Sequence, residues 1–334
     1  MPPAEPTLID RFQRRITYLR LSVTDRCDLR CAYCMPREMV FLPRKDLLTL
    51  NELHRLALAF IDRGVRAIRL TGGEPLVRRD VMDLVTALGR HVGQQLDELT
   101  LTTNGTHLAD KADALASAGV RRVNVSLDTL DRVRFTELTG ADRLGAVLDG
   151  IAAARDAGLE VKLNVVALRD ESSEGRRELI EWAHGHGHSV TLIEVMPMGE
   201  VAAGRADQFV PLTDVRRELE TRWTLTPSTH RTGGPARYWH IAETGGRIGF
   251  ITPLSDNFCA GCNRLRVTAT GQLHPCLGGT EAVDLRAALR SGRGDQALAS
   301  ALETAMRIKP ERHRFAIYQG FASGPARHMS VTGG

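Results

Sequence analysis

At 334 residues, with 43% hydrophobic and 25% charged side chains, the chain has an ordinary globular composition and room for one large barrel plus a module, or for two domains. Its net charge of +4 comes from scattered basic residues, which argues against nucleic acid as a partner and suits an anionic small molecule. The N-terminal MPPAEPTLIDRFQRR has no apolar signal core and no run of 18 apolar residues occurs, so no membrane association is expected and the expected location is cytoplasmic.

Residues 1–15 read as an N-terminal arm. From Ile16 a short β-rich run alternates with an amphipathic helical stretch. The runs are Ile16–Val23, Val65–Leu70, Glu98–Thr102, Arg121–Leu127, Leu159–Val166 and Ser189–Val195, with helices expected near 50–63, 80–91, 108–118, 142–157 and 174–185. Thr49 and Glu52 form a capping box, and Gly64, Gly119 and Gly158 stop three of the helices. Six β/α units in succession imply a parallel sheet with right-handed crossovers.

Alternation along the strands separates a barrel from an open doubly wound sheet. Arg20, Ser22 and Thr24 oppose Leu19, Leu21 and Val23; Arg69 and Thr71 oppose Ile68 and Leu70; Thr100 and Thr102 oppose Leu99 and Leu101. Asn124, Ser126 and Asp128 form one face of the fourth run, and Lys162 and Asn164 one face of the fifth. Strands buried between two helical layers read as nearly continuous apolar. One polar face on five strands therefore predicts a wet interior in a partial (β/α)6 barrel of the α/β class, the alternative being that some of these faces are solvent-exposed.

Beyond Met196 the pattern changes. Residues 199–236 are rich in Gly, Pro, Thr and Arg, with one helix near 213–222; β runs follow at Arg237–Ile241, Arg247–Ile251 and Leu265–Ala269, then helices near 281–291 and 296–305. The expected division is an arm (1–15), a barrel (16–235) and a smaller C-terminal α+β module (236–334). His184, His186 and His188 alternate like a metal tract, but fall between a helix and a strand and read as a solvated connection.

All six cysteines fall into two triplets, Cys27-x3-Cys31-x2-Cys34 and Cys259-x2-Cys262-x13-Cys276. Disulfides are not expected in a cytoplasmic chain, and two separated sets argue for two centres. Three thiolates can hold three corners of a cubane iron–sulfur cluster, which takes four when wholly protein-ligated, and leave one iron for a bidentate small molecule. The alternative is structural zinc, which closes with a fourth Cys or His. Thr71-Gly72-Gly73-Glu74-Pro75 follows the second strand; its exposed backbone and adjacent carboxylate suit an ammonium group, and it stands on the rim where barrel sites lie.

The first triplet resembles the signature of the radical S-adenosylmethionine superfamily, in which an aromatic precedes the last cysteine; Tyr33 fills that position. YLRLSVTDRC, YCMP, RLTGGEPLVRRD, TTNG, NVSLD, KLNVV, the C-x2-C-N-R-L-R block and the terminal Gly-Gly are similar to the GTP 3′,8-cyclase family, from about residue 16 to the C-terminus. The resemblance implies two [4Fe-4S] clusters, one on each triplet, and S-adenosylmethionine lined by Tyr33, Gly73, Ser126 and Met196. It implies GTP gripped by Arg20, Arg69, Thr102, Lys162, Arg264, Leu265 and Arg266, its guanine on the second cluster, and a functional tail at Gly333 and Gly334. A 5′-deoxyadenosyl radical would abstract the ribose 3′ hydrogen of GTP, and C3′ would then bond to C8 of guanine. Also implied are a flavodoxin- or ferredoxin-type electron donor, a downstream cyclic pyranopterin monophosphate synthase, and a homodimer.

Two departures bear on the substrate: Ala67 and Thr191 stand where relatives carry cations, with Arg205 as a candidate replacement, while Asp28 stands in place of a frequent Asn. Two other readings are carried: a radical enzyme with an auxiliary cluster acting on another substrate such as a peptide, and a non-catalytic iron–sulfur or zinc protein binding nucleic acid.

Overall fold

The computed structural model describes residues 7–199, 207–292, 294–318 and 321–333. Strands β1 (Tyr18–Ser22), β2 (Ala67–Thr71), β3 (Glu98–Thr103), β4 (Arg122–Ser126), β5 (Glu160–Ala167) and β6 (Ser189–Glu194) lie side by side in chain order, all parallel. Helices α1 (Leu50–Ile61), α2 (Val81–Gly89), α3 (Ala112–Ser117), α4 (Arg132–Thr139), α5 (Leu144–Asp156) and α6 (Ser173–Gly185) alternate with them. The Thr49–Glu52 capping box opens α1 as expected. Helix α4 was not anticipated: it is polar along most of its length and buries only Phe135, Leu138 and Thr139, so periodicity does not reveal it.

The apolar side of the strands packs against the helices. Leu19, Leu21, Ile68, Leu70, Leu99, Leu101, Val123, Val125 and Leu163 share one core with Leu53, Leu56 and Phe60 of α1 and Leu84 and Leu88 of α2. Each such side chain contributes about 1.5–3 kcal/mol on burial. Stability therefore resides in the outer layer, and the inner face is free to be polar.

The C-terminal strands extend this sheet at both edges. Strand β9 (Arg247–Ile251) pairs parallel with β6, followed outward by β8 (Arg237–Ile241) and β7 (Leu225–Pro227). Strand β10 (Arg264–Val267) pairs parallel with β1, followed by β11 (Gln272–His274) and β12 (Val283–Asp284). Because β9 ends at the barrel's C-terminal rim while β10 starts level with Tyr18, residues 252–263 run back along the open side of the barrel, carrying Cys259 and Cys262. Helices α7 (Leu212–Glu220), α8 (Leu285–Arg290) and α9 (Gly294–Ile308), a hairpin of β13 (Ala316–Tyr318) and β14 (Phe321–Ser323), and the short α10 (Met329–Thr332) complete the description. Among the described residues no helix is long and apolar enough to cross a membrane.

Glu194 fastens the crossing segment. Fully buried at the end of β6, its carboxylate accepts from the backbone N–H groups of Leu212 (3.2 Å), Leu254 (2.8 Å) and Ser255 (3.1 Å) and from the Ser255 hydroxyl.

The histidine trio corrects the sequence reading. His184 lies in α6 and is 8% exposed; its Nδ1 meets Thr244 Oγ1 at 2.7 Å and its Nε2 the Arg247 carbonyl at 3.2 Å, so it ties the helix to the β8–β9 hairpin. His188 is buried as well, and only His186 faces solvent. The hairpin that holds His184 is remote in sequence, so spacing alone could not reveal its burial.

Glu194→Ala would leave one buried and two part-buried N–H donors without their partner, at about 1–3 kcal/mol for each that water cannot reach. Thermal unfolding should show a loss of roughly 3 kcal/mol or more, against about 1 kcal/mol for Thr49→Ala at the α1 cap; equal losses would refute the clamp. Burial, then His186 and Arg155, hold the His188 imidazole down at about 4 from 6.5. Its contribution to stability is full above pH 6.5 and is lost as pH falls toward 4. The unfolding midpoint of His188→Gln should therefore depend less on pH across that window than that of the unmodified chain, and parallel profiles would exclude this source.

Candidate active site

The inner faces of the strands, the crossing segment and residues 232–236 enclose a cavity of about 240 Å³, near the small end of ligand sites. Both cysteine triplets line it, and none of the six thiols is in a disulfide. Of the expected polar face, Ser22, Thr24, Thr100, Asn124 and Asp128 do not line it. They bond within the wall instead, as where the Thr100 hydroxyl donates to the Arg122 carbonyl (2.7 Å) and Asn124 Nδ2 donates to Thr100 Oγ1 (3.0 Å).

Cys27, Cys31 and Cys34 sit in the loop after β1, at the C-terminal rim. The Leu29 amide and Asn104 Nδ2 approach Cys27 Sγ at 3.4 and 3.7 Å. Burial pushes the Cys27 thiol up to about 12 and Cys31 well above its ordinary value. Tyr33 donates to Asp128 Oδ2 (2.5 Å), and Asp128 Oδ1 accepts from the Val166 amide (2.8 Å), so the cysteine loop is pinned to the ends of β4 and β5.

The glycine turn after β2 packs against this loop. A Cβ at Gly73 would stand 2.3 Å from the Arg26 carbonyl oxygen, and one at Gly72 2.5 Å from that of Thr24, so only glycine permits the approach. Glu74 differs from the sequence reading. Its buried carboxylate accepts from Leu76 N (2.9 Å), Thr103 Oγ1 (2.8 Å) and Asn104 N (2.6 Å), and it does not line the cavity. Glu74 ties β2 to the loop after β3, while Gly72 and Gly73 face the cavity.

Deeper in the barrel three guanidinium groups stand abreast, because the register pairs Arg20 with Arg266 on one side and with Arg69 on the other. Burial, then Arg266 and Arg69, hold Arg20 well below its ordinary value; burial and Arg264 bring Arg266 down to about 9. Arg20 Nε, Arg69 Nε and Arg266 Nη1 are buried without hydrogen-bond partners. Lys162 adds another cation opposite, bonded to the Tyr238 hydroxyl and 4.9 Å above that ring. Buried like charges with orphaned donors favour a polyanion.

Cys259, Cys262 and Cys276 line the cavity beside this row. Burial alone would raise the Cys262 thiol, but Lys309 and Arg264 bring it down to about 7. Among the described residues no group of three or more His, Cys, Asp or Glu side chains is arranged to hold a lone metal ion. His313, which lines the cavity with this triplet, has Nε2 on the Pro253 carbonyl (2.7 Å) and Nδ1 receiving the Phe315 amide (3.2 Å), so it is not a free fourth zinc ligand. All-thiol triads, one donor short of a full set, fit cubane clusters with an open iron.

Tyr33, Gly73, Ser126, Met196, Arg20, Arg69, Thr102, Lys162, Arg264 and Arg266 all line the same cavity as the cysteines. Leu265 does not: its side chain is buried in the outer core, as strand alternation between the two arginines demands. Gly333 lies against Thr71, where a Cβ would meet the hydroxyl at 1.9 Å, with Ser330 and Thr332 buried beside it. Gly334 and Arg205 lie outside the described residues. Neither Ala67 nor Thr191 lines the cavity. Sequence reasoning missed Thr232, Gly234 and Pro235 in the lining, Phe258 stacked 5.0 Å beneath Arg264, and Tyr238. These come from irregular segments or distant strands and carry no local signal.

Comparison with known proteins agrees with this geometry. Residues 21–183 match the model of the Radical SAM superfamily, and residues 188–315 that of Molybdenum Cofactor Synthesis C. The chain is 66% identical over 331 residues to the GTP 3′,8-cyclase of Erythrobacter litoralis, covering 99% of this chain and 100% of that protein. The GTP 3′,8-cyclase of Bradyrhizobium diazoefficiens is 56% identical over 98% of this chain and 96% of its own. Among solved structures, Streptococcus suis SuiB bound to S-adenosylmethionine shares the fold with a TM-score of 0.63 at 18% identity, over 82% of this chain; the chain spans 65% of its length. The chain belongs to the GTP 3′,8-cyclase family of the radical S-adenosylmethionine superfamily.

Proposed function

We infer that the chain converts GTP to (8S)-3′,8-cyclo-7,8-dihydroguanosine 5′-triphosphate, the first step of molybdenum cofactor biosynthesis. The observation that carries this reading is the meeting of two cysteine triads and the Arg266–Arg20–Arg69 row in one cavity.

Cys27, Cys31 and Cys34 would hold the first cluster, with Tyr33, Gly73, Ser126 and Met196 around S-adenosylmethionine. Cys259, Cys262 and Cys276 would hold the second. One-electron cleavage of bound S-adenosylmethionine supplies the hydrogen-abstracting chemistry, and the protein's part is to fix distances and exclude water. Arg20, Arg69, Arg266 and Lys162 grip the triphosphate by charge-assisted bonds, each contributing about 1.5–3 kcal/mol. Arg264 and Thr102 orient the rest of the nucleotide, and Leu265 contributes its backbone. Tyr238 holds Lys162 in place. Gly333 and Gly334 act from the tail beside the first cluster. The roles divide between a barrel of residues 16–235 and a module of residues 236–334.

A flavodoxin- or ferredoxin-type electron donor rests on the resemblance. A cyclic pyranopterin monophosphate synthase as the consumer of the product, homodimerisation and a cytoplasmic location rest on the resemblance. A peptide substrate is disfavoured because several adjacent buried arginines suit the clustered charge of a triphosphate better than the single carboxylates of a peptide.

Anaerobic reconstitution should yield about eight irons per chain, two cubanes of four each. With dithionite, S-adenosylmethionine and GTP, 5′-deoxyadenosine and the cyclised nucleotide should form together. If 5′-deoxyadenosine forms while GTP is unchanged, the substrate assignment fails; bound zinc without cleavage would refute the whole reading. Lys162→Met should weaken GTP binding at least about tenfold, from the loss of roughly 1.5 kcal/mol or more, while iron content stays the same. Unchanged affinity would remove Lys162 from the phosphate site.

A further inference from the structure

Lys309 follows α9 and is only 1% exposed, a burial that an ammonium tolerates only with strong partners. Its Nζ donates to the carbonyls of Pro275 (2.6 Å) and Arg264 (3.0 Å) and lies 3.6 Å from Cys262 Sγ. Those contacts touch the residue before Cys276, Cys262 itself and the strand that follows it. All three ammonium protons are thereby accounted for.

The hydrogen-bond partners of Nζ include no carboxylate. Asp10, the acid across from it, is committed to Arg14, accepting from its Nε (2.6 Å) and backbone N–H (3.0 Å). Arg14 in turn donates to the carbonyls of Cys259 (2.9 Å), Pro310 (2.6 Å) and Glu311 (2.6 Å). Two buried cations thus hold the backbone around all three cysteines of the second triad. Lys309 does not line the cavity, so it touches neither substrate nor S-adenosylmethionine and has no place in the chemistry described above. The first triad is built differently: amides approach Cys27 Sγ, and its charged neighbours are the carboxylates of Asp28 and Glu74.

We propose that Lys309 is a positioning residue for the second cluster: its ammonium joins the Cys262 and Cys276 segments and, through its charge and N–H···S contact, raises that cluster's reduction potential above the value the thiolates alone would set. This rests on the reading that Cys259, Cys262 and Cys276 hold a cluster. Hydrogen bonds to ligand sulfurs and nearby charge are established levers on cluster potential. A cation favours the reduced cluster, which carries one more negative charge. Its removal should therefore disfavour reduction.

The test is a redox titration of the reconstituted full chain, followed by electron paramagnetic resonance, for the unmodified protein, Lys309→Met and Lys309→Arg, with iron counted in each. The first cluster is an internal reference. In Lys309→Met the reduction equilibrium of the second cluster should shift about tenfold toward the oxidised form, 59 mV for one electron, while the first stays put. Lys309→Arg should remain near the unmodified value. An unchanged second potential in Lys309→Met with both clusters present would overturn the proposal. If Lys309→Met lacks the second cluster, Lys309→Arg decides: restoration supports a cationic role, and loss in both variants overturns it in favour of packing alone. Absence of a second cluster from the unmodified protein would instead overturn the parent reading of the triad.

Discussion

Among the described residues no carboxylate pairs with Arg20, Arg69 or Arg266, and that buried positive charge governs the barrel interior. Arg266, Arg20 and Arg69 occupy matching positions on three adjacent parallel strands, so the same pairing that builds the sheet forces their guanidinium groups together. Such a row is unfavourable by itself, from both desolvation and like-charge repulsion. It is tolerated because the opposite face of every strand packs into one continuous apolar core. A bound triphosphate would offset the remaining cost, so the feature that weakens the empty fold is the one that selects the ligand.

The open side of the barrel is as important as its wall. An ordinary (β/α)8 barrel closes on itself and fills its interior with branched side chains. Here the run of β/α units stops after β6, and both edges are continued by strands from the C-terminal part of the chain. The connection between those edges runs back along the opening, clamped at one end by Glu194. This places the second triad at the level of the arginine row and leaves the first at the rim, with space for substrate between them.

Much of this was legible residue by residue. Period-two alternation separated the Arg20, Arg69, Thr102, Ser126 and Lys162 face from the core face, and that division holds because each strand has only two sides. The same rule assigns Leu265 to the core, between two inward arginines. Cysteine spacing identified both triads: Cys27, Cys31 and Cys34 share one short loop, and the antiparallel β10–β11 pair returns Cys276 to Cys259 and Cys262. The solvated reading of the histidine trio failed for the opposite reason: burial of His184 is imposed by Thr244 and Arg247, which come from a hairpin about sixty positions away. Helix α4 went unseen because its weak apolar stripe leaves tertiary contacts to stabilise it.

The amino-acid sequence alone determined the order of β/α units, the polar inner face, the two thiol triads and the family, because these depend on local period, spacing and matched motifs. Only the tertiary structure decided how those parts face one another. It set the arginine register, turned Glu74 from the ligand side to a loop tie, seated Gly333 against Thr71, and brought Lys309 and Arg14 behind the second triad. Each of those outcomes joins residues separated by tens to hundreds of positions. Such contacts are fixed by which buried polar groups can satisfy one another once the chain has folded, and no local pattern records them.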